Sequence, residues 1–73
     1  MILERLIDLI CDEFGLSEGD IGEDTLLEEF VSDEFEMQEM IDAVESEFGI
    51  SLHEMPADDW SIGDLAGAIA GAD

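Results

Sequence analysis

The sequence predicts an all-α fold, a small helical bundle that forms one domain over residues 1–73 with a long loop between its first two helices. Three segments repeat apolar residues at three- and four-residue steps, which is the period of an amphipathic helix. No segment alternates apolar and polar residues in the way of a half-buried strand. Hydrophobic residues make up 47% of the chain, far more than a disordered acidic chain contains, so we expect it to fold.

The first predicted helix covers residues 2–14, and Gly15 follows it at the position where a left-handed residue commonly ends a helix. Residues 16–32 then form a long loop, in which Thr25 and Glu28 match the capping pattern of a short helical turn. The apolar stripe of the helix consists of Ile2, Leu3, Leu6, Ile7, Ile10 and Phe14. The apolar residues expected to hold the loop on the core are Ile21, Leu26, Leu27 and Phe30.

The second predicted helix covers residues 33–48, with Asp33 as its N-cap and Gly49 as its stop. Phe35 lies near its start, where the ring could turn inward. The apolar stripe of this helix consists of Met37, Met40, Ile41, Val44 and Phe48.

A second connection, residues 50–60, has room for one short helical turn and precedes the last predicted helix. Ser61 begins that helix, and Asp64 three residues later makes a near capping box. The apolar anchors expected in the connection are Ile50, Leu52, Met55 and Trp60. The side chains expected to face the core from the last helix are Ile62, Leu65, Ala66 and Ile69.

The charge of the chain excludes several classes of partner. It has 22 acidic residues and one basic residue, Arg5, for a formal net charge of −21. Binding to nucleic-acid phosphates depends on lysine and arginine, so no nucleic-acid partner is expected. The same charge opposes docking on an anionic membrane surface, and it disfavours self-association, so we expect a monomer. We also expect stability to rise with salt, because screening weakens the repulsion.

The cysteine and histidine content indicates a reducing compartment and no metal site. Cys11 is the single cysteine and cannot form an internal disulfide, and His53 has no second ligand at metal-binding spacing. The N-terminal segment lacks the basic start and the cleavage site of a signal peptide, and no apolar run approaches the length of a membrane span. We therefore expect a soluble, cytoplasmic protein.

Fragments along nearly the whole chain resemble the acyl carrier protein family. DEFEMQEMIDAVESEFGI, residues 33–50, resembles the family's second helix, which reads D-S-L-D and then an acidic amphipathic helix ending E-E-F-G-I. TLLEEF, residues 25–30, resembles its S-F-x-E-D-L entry, and SIGDLA, residues 61–66, resembles its T-V-G-D-L opening of the last helix. FGL and SEGDI, residues 14–21, also match. The resemblance implies a four-helix bundle of three longer helices and one short helix.

That family carries acyl or aminoacyl groups as thioesters on a 4′-phosphopantetheine arm, which a transferase attaches to the serine of D-S-L. The match places Asp33 on the aspartate, Glu34 on the serine and Phe35 on the leucine. A phosphodiester needs a hydroxyl, which a carboxylate lacks, so no arm is expected at Glu34 and no cofactor on this chain. Val31 also replaces the glycine that usually precedes the aspartate by two residues.

Four explanations account for Glu34. The chain is a divergent member that has lost the arm, or Glu34 is an engineered replacement that prevents modification or mimics a phosphate. Alternatively, Ser32 carries the arm from a shifted position, or the register of the match is different. A shifted register would turn the apolar stripe to the polar face, and Ser32 is followed by acids instead of an apolar residue. The first two explanations stay open.

The resemblance also implies a docking surface, because family members bind basic patches of partner enzymes through acids of the second helix. The positions that match, together with the neighbouring aromatic residue, are Asp33, Phe35, Glu36, Glu39 and Glu45. With 22 acids, close carboxylate pairs arise by chance, so they do not indicate an enzyme. The expected function is that of a carrier-protein homologue of fatty-acid, polyketide or peptide-type biosynthesis. The alternative is an acidic interaction module, such as a nucleic-acid mimic in a basic groove.

Overall fold

The computed structural model describes residues 2–52, 56–57 and 59–72. These residues form three α-helices, α1 (Ile2–Phe14), α2 (Glu34–Phe48) and α3 (Ile62–Ala72), and no β-strand is found among them. The all-α prediction is therefore confirmed. The short helical turn expected within residues 50–60 falls partly outside the described residues, as do the anchor Met55 and the lone His53.

The helix ends lie where the local sequence predicted them. Gly15 and Gly49 follow α1 and α2 with φ of 67° and 65°, a left-handed conformation that glycine adopts without a steric penalty. At the start of α2, the Asp33 carboxylate accepts a hydrogen bond of 2.9 Å from the backbone N–H of Glu36. The Asp33 carboxylate thus satisfies one of the backbone N–H groups that the start of a helix leaves without a partner.

The capping prediction for Thr25 in the loop between α1 and α2 is wrong by one residue. The short 3-10 turn is Leu27–Glu29, and the Glu29 carboxylate accepts a 2.8 Å hydrogen bond from the N–H of Leu26. The hydroxyl of Thr25 instead accepts a 2.9 Å hydrogen bond from the N–H of Gly22 and closes the preceding turn. Because the turn begins at Leu27, its N-cap position falls on Leu26, one residue after Thr25. A second 3-10 turn, Glu18–Asp20, lies earlier in this loop.

Backbone hydrogen bonds fasten the end of the loop to the start of α3. The N–H of Ile62 donates to the carbonyl of Thr25, and the N–H of Gly63 donates to the carbonyl of Glu23, both at 2.9 Å. The N–H of Leu27 donates to the carbonyl of Trp60 at 2.9 Å. The loop thus satisfies two N–H groups that would otherwise be unpaired in the first turn of α3. The same hydrogen bonds fix the position of the loop segment that leads to α2.

One continuous core joins the three helices and the loop. The buried residues that form it are Leu6, Ile10, Leu27, Val31, Met37, Met40, Ile41, Val44, Ile62, Leu65 and Ile69. The stripes predicted for the three helices supply most of this core, and the remaining members of those stripes pack against it half-buried. Phe35 was not part of the predicted stripe, and its ring points outward and is 77% exposed. The prediction that the Phe35 ring could turn inward is wrong, because position 35 lies on the side of α2 opposite the buried stripe.

The single arginine of the chain links α1 to the end of α2. Nη2 of Arg5 lies 3.1 Å from Oε2 of Glu47 and 3.4 Å from its backbone carbonyl oxygen. The guanidinium carbon lies 4.8 Å from the centre of the Phe48 ring, within the range of a cation–π contact. A cation at this end of α2 also complements the negative end of the helix dipole.

Candidate docking face on the second helix

The outward side of α2 is a polar surface with one aromatic residue. Its orientation follows from the four buried residues of the helix, which all lie on one side. Residues of an α-helix are spaced by about 100° around the axis, so positions 35, 39, 42 and 46 lie together on the opposite side. We call this surface the docking face, and its exposed members are Phe35, Gln38, Glu39, Asp42 and Ser46.

Phe35 lies in the first turn of α2 and is the one large apolar side chain that is mostly exposed in the part of the chain the structure describes. Burying a phenylalanine side chain contributes about 1.5–3 kcal/mol to stability, and the fold gains little of that here. The exposed acids Glu39 and Asp42 lie on the same side of the helix as this ring. An aromatic ring within an acidic face is suited to contact with a partner.

The acids predicted to bind partners do not share one environment. Glu39 is exposed at the centre of the docking face. Glu36 is half-buried at one edge, where its carboxylate accepts a 2.6 Å hydrogen bond from the N–H of Ser32. Glu45 is half-buried at the other edge, and its carboxylate accepts a 2.8 Å hydrogen bond from the N–H of Leu52. Asp33 is exposed and caps the helix. Three of the four acids therefore also hold local structure.

Asp42 belongs to the docking face although the sequence analysis did not place it there. It is exposed one turn after Gln38, whose side-chain amide donates a 2.9 Å hydrogen bond to its carboxylate. The spacing of Phe35, Glu39 and Asp42, four and then three residues, is the signal that identifies it, because such positions are neighbours on a helix surface.

The position matched to the attachment serine lies beside a cleft at the start of α2. Glu34 is the first residue of the helix and is exposed. The cleft has a volume of about 480 Å³, and its lining residues are Val31, Ser32, Asp33, Glu34, Met37, Pro56 and Ala57. Val31, Met37 and Pro56 are buried, whereas the residues from Ser32 to Glu34 are exposed. Ser32, the alternative attachment site considered from the sequence, thus lines the same cleft as Glu34.

Among the described residues, the two groups with a shifted pKa are Cys11 and Glu18, and both lie away from the docking face. Burial raises the pKa of the Cys11 thiol, and the nearby carboxylates of Glu18 and Asp8 raise it further, which keeps the thiol protonated. The protonated Glu18 carboxyl donates a hydrogen bond to the Asp8 carboxylate, which raises the pKa of Glu18, and the negative charge of Asp8 adds to that shift. Among the described residues, no group of three or more ligating side chains is arranged to hold a metal ion. None of the described helices has the length and apolar character needed to cross a membrane.

Comparison with known proteins gives no match for this chain, whether with protein-family models, with curated proteins or with solved structures. The resemblance to acyl carrier proteins therefore rests on the order and spacing of the sequence fragments.

Proposed function

We propose that this chain is an acyl carrier protein-like protein of fatty-acid, polyketide or peptide-type biosynthesis that carries no arm at Glu34. In this proposal it acts as a cytoplasmic monomer, is not itself an enzyme, and binds basic patches of acyl- or aminoacyl-handling enzymes through α2. The proposal includes a four-helix bundle, with a short fourth helix within residues 50–60.

The observation that carries the proposal is the place of Glu34. Asp33 caps α2, so Glu34 is fixed as the first residue of the helix, exposed and at the rim of a cleft. The family's attachment serine follows the same aspartate in the D-S-L motif. A hydroxyl at this position would be accessible to a transferase, whereas a carboxylate there cannot form the phosphodiester.

The experiment that tests the proposal restores the serine. Glu34→Ser and the unchanged protein would be incubated with coenzyme A and a broad-specificity phosphopantetheinyl transferase, and their intact masses measured. We expect Glu34→Ser to gain the mass of one arm and the unchanged protein to gain nothing. Phe35→Ser is the matched control, because it places a hydroxyl one residue further along the helix, where no arm is expected.

Two results would contradict the proposal. If Glu34→Ser stays unmodified even when Val31→Gly restores the usual glycine, the start of α2 is not a carrier site. If the unchanged protein gains an arm that Ser32→Ala abolishes, the chain is a working carrier with a displaced attachment site. An ordinary carrier protein, modified in parallel, shows that the transferase is active.

A second candidate function follows from the net charge of −21. An acidic interaction module, such as a nucleic-acid mimic, would occupy a basic groove of a nucleic-acid enzyme by charge complementarity. Pull-down experiments distinguish the two functions. Ketosynthases, acyltransferases or adenylating enzymes support the carrier proposal, and nucleic-acid enzymes support the mimic.

A further inference from the structure

The molecule itself shows how its surface binds an arginine. The guanidinium group of Arg5 pairs with the Glu47 carboxylate at 3.1 Å and lies over the Phe48 ring at 4.8 Å. The groups that bind this cation are thus one aromatic face, one carboxylate and the backbone carbonyl of Glu47 at 3.4 Å. Arginine suits this combination because its planar guanidinium can stack on a ring and donate hydrogen bonds at its edge.

The docking face of α2 presents two of these groups, an aromatic ring and a carboxylate, to solvent. Phe35 and Glu39 are one helical turn apart, a spacing that makes them neighbours on the helix surface, and both are exposed. Glu34, the preceding residue, is a second exposed acid in this turn of the helix. Arg5 is the only arginine or lysine in the sequence, and it is already held by Glu47 and Phe48. An arginine at Phe35 would have to come from another molecule.

We propose that Phe35 and Glu39 bind an arginine side chain of a protein partner, with the guanidinium stacked on the ring and paired with the carboxylate. The inference rests on the proposed docking role of α2 and specifies the partner's contact group. The net charge of −21 attracts a basic partner over distance, whereas the stacked contact distinguishes arginine from other cations.

A purely apolar socket for Phe35 fits the surface less well. Inserting the ring into such a socket would bring the Glu34 and Glu39 carboxylates against apolar surface, and an unpaired charge is costly to remove from water. A guanidinium group covers the ring and compensates the carboxylates together. Lysine can supply the charge, but its ammonium is compact and strongly hydrated, so it stacks less favourably.

The test measures a preference for arginine over lysine. The probes are two fluorescently labelled, alanine-based helical peptides that carry the same number of cations at the same positions, one as arginine and the other as lysine. Binding of each to the full chain would be followed by fluorescence anisotropy at physiological ionic strength. We expect the arginine peptide to bind about fivefold more tightly, the order of effect that cation–π contacts give. Equal affinities, or no binding of either peptide, would overturn the inference.

Variants assign the preference to the two residues. Phe35→Leu keeps an apolar side chain and a good helix former but removes the aromatic ring, so we expect the two peptides to bind equally. Glu39→Gln should weaken both peptides, and Glu13→Gln, which removes the same charge from an exposed position on α1, should change neither by as much. An arginine preference that survives in Phe35→Leu would show that another surface binds the peptide. Circular dichroism of each variant confirms that the fold is retained.

This experiment and the arm-loading experiment fail independently. If Glu34→Ser stays unmodified even with Val31→Gly, while the arginine preference depends on Phe35, the carrier function is wrong and the arginine site stands. If Glu34→Ser accepts the arm and both peptides bind equally, the carrier function stands and the arginine site is wrong.

Discussion

At the scale of single residues, Gly63 shows a constraint that helix propensity alone would hide. It lies in the first turn of α3, where its N–H donates a 2.9 Å hydrogen bond to the carbonyl of Glu23. A Cβ added at Gly63 would lie 2.8 Å from Cγ and 3.2 Å from the backbone oxygen of Glu23. The loop segment around Glu23 cannot retreat without lengthening that hydrogen bond, so this glycine permits the loop to approach the helix closely.

We therefore predict that Gly63→Ala lowers the free energy of unfolding by about 1 kcal/mol. Alanine would normally stabilise a helix interior by up to about 1 kcal/mol, but the overlap with Glu23 costs about 1–3 kcal/mol. Gly67→Ala is the matched control on the same helix, because a Cβ there meets no atom within 4 Å, and it should raise the free energy of unfolding. Urea denaturation followed by circular dichroism measures both. A gain in Gly63→Ala as large as that in Gly67→Ala would contradict the argument.

At the scale of elements, α2 begins with a cap formed by Asp33, an acid that the sequence also predicted to bind partners. The Asp33 side chain accepts the N–H of Glu36, and the Glu36 side chain accepts the N–H of Ser32. Removal of a cap by alanine costs about 1 kcal/mol, whereas asparagine caps about as well as aspartate. The negative charge of Asp33 and its capping function can therefore be separated by substitution.

We therefore predict different stabilities for the alanine and asparagine variants of Asp33. Asp33→Ala should lower the free energy of unfolding by about 1 kcal/mol, and Asp33→Asn should leave it nearly unchanged. If Asp33 also contacts a basic partner, both variants should bind the arginine peptide more weakly, because both lose the charge. Thermal unfolding gives the stabilities, and anisotropy gives the binding. Equal destabilisation by the two variants would show that the cap is not what stabilises α2.

The elements also show which features the sequence could predict. The end of α1, the start of α2 and the start of α3 depend on residues within one turn, so Gly15, Asp33 and Ser61 indicated them directly. The cap of the 3-10 turn was missed because glutamates occupy both positions 28 and 29. The capping pattern was therefore placed on Thr25 and Glu28, whereas Glu29 bonds the N–H of Leu26. The outward direction of Phe35 could have been predicted, because the apolar stripe of α2 was identified correctly and the 100° spacing places position 35 opposite it. The cleft beside Glu34 joins segments distant in sequence and required the structure.

At the scale of the whole molecule, repulsion among the 22 acidic side chains opposes folding. No charged residue is buried among those described, so the acids share the surface of a body measuring 28 × 26 × 19 Å. None of the three α-helices has a basic residue in its last turn, and Arg5 supplies the one guanidinium group. Hydrophobic burial must therefore exceed the usual entropy cost and a repulsion that acts across the molecule.

This repulsion predicts a melting temperature that depends strongly on ionic strength. At about 10 mM salt the Debye length is ~30 Å, longer than the molecule, so every acid interacts with nearly every other. At about 150 mM it is ~8 Å, and only near neighbours still repel. A relief of about 1 kcal/mol raises the melting temperature of a domain of this size by ~4–8 °C, and we expect at least that rise in scanning calorimetry. Choline chloride should act like NaCl at equal ionic strength, since screening does not depend on the cation. A rise with NaCl alone would instead indicate bound sodium ions, and an unchanged melting temperature would mean that the repulsion is already relieved in the folded state.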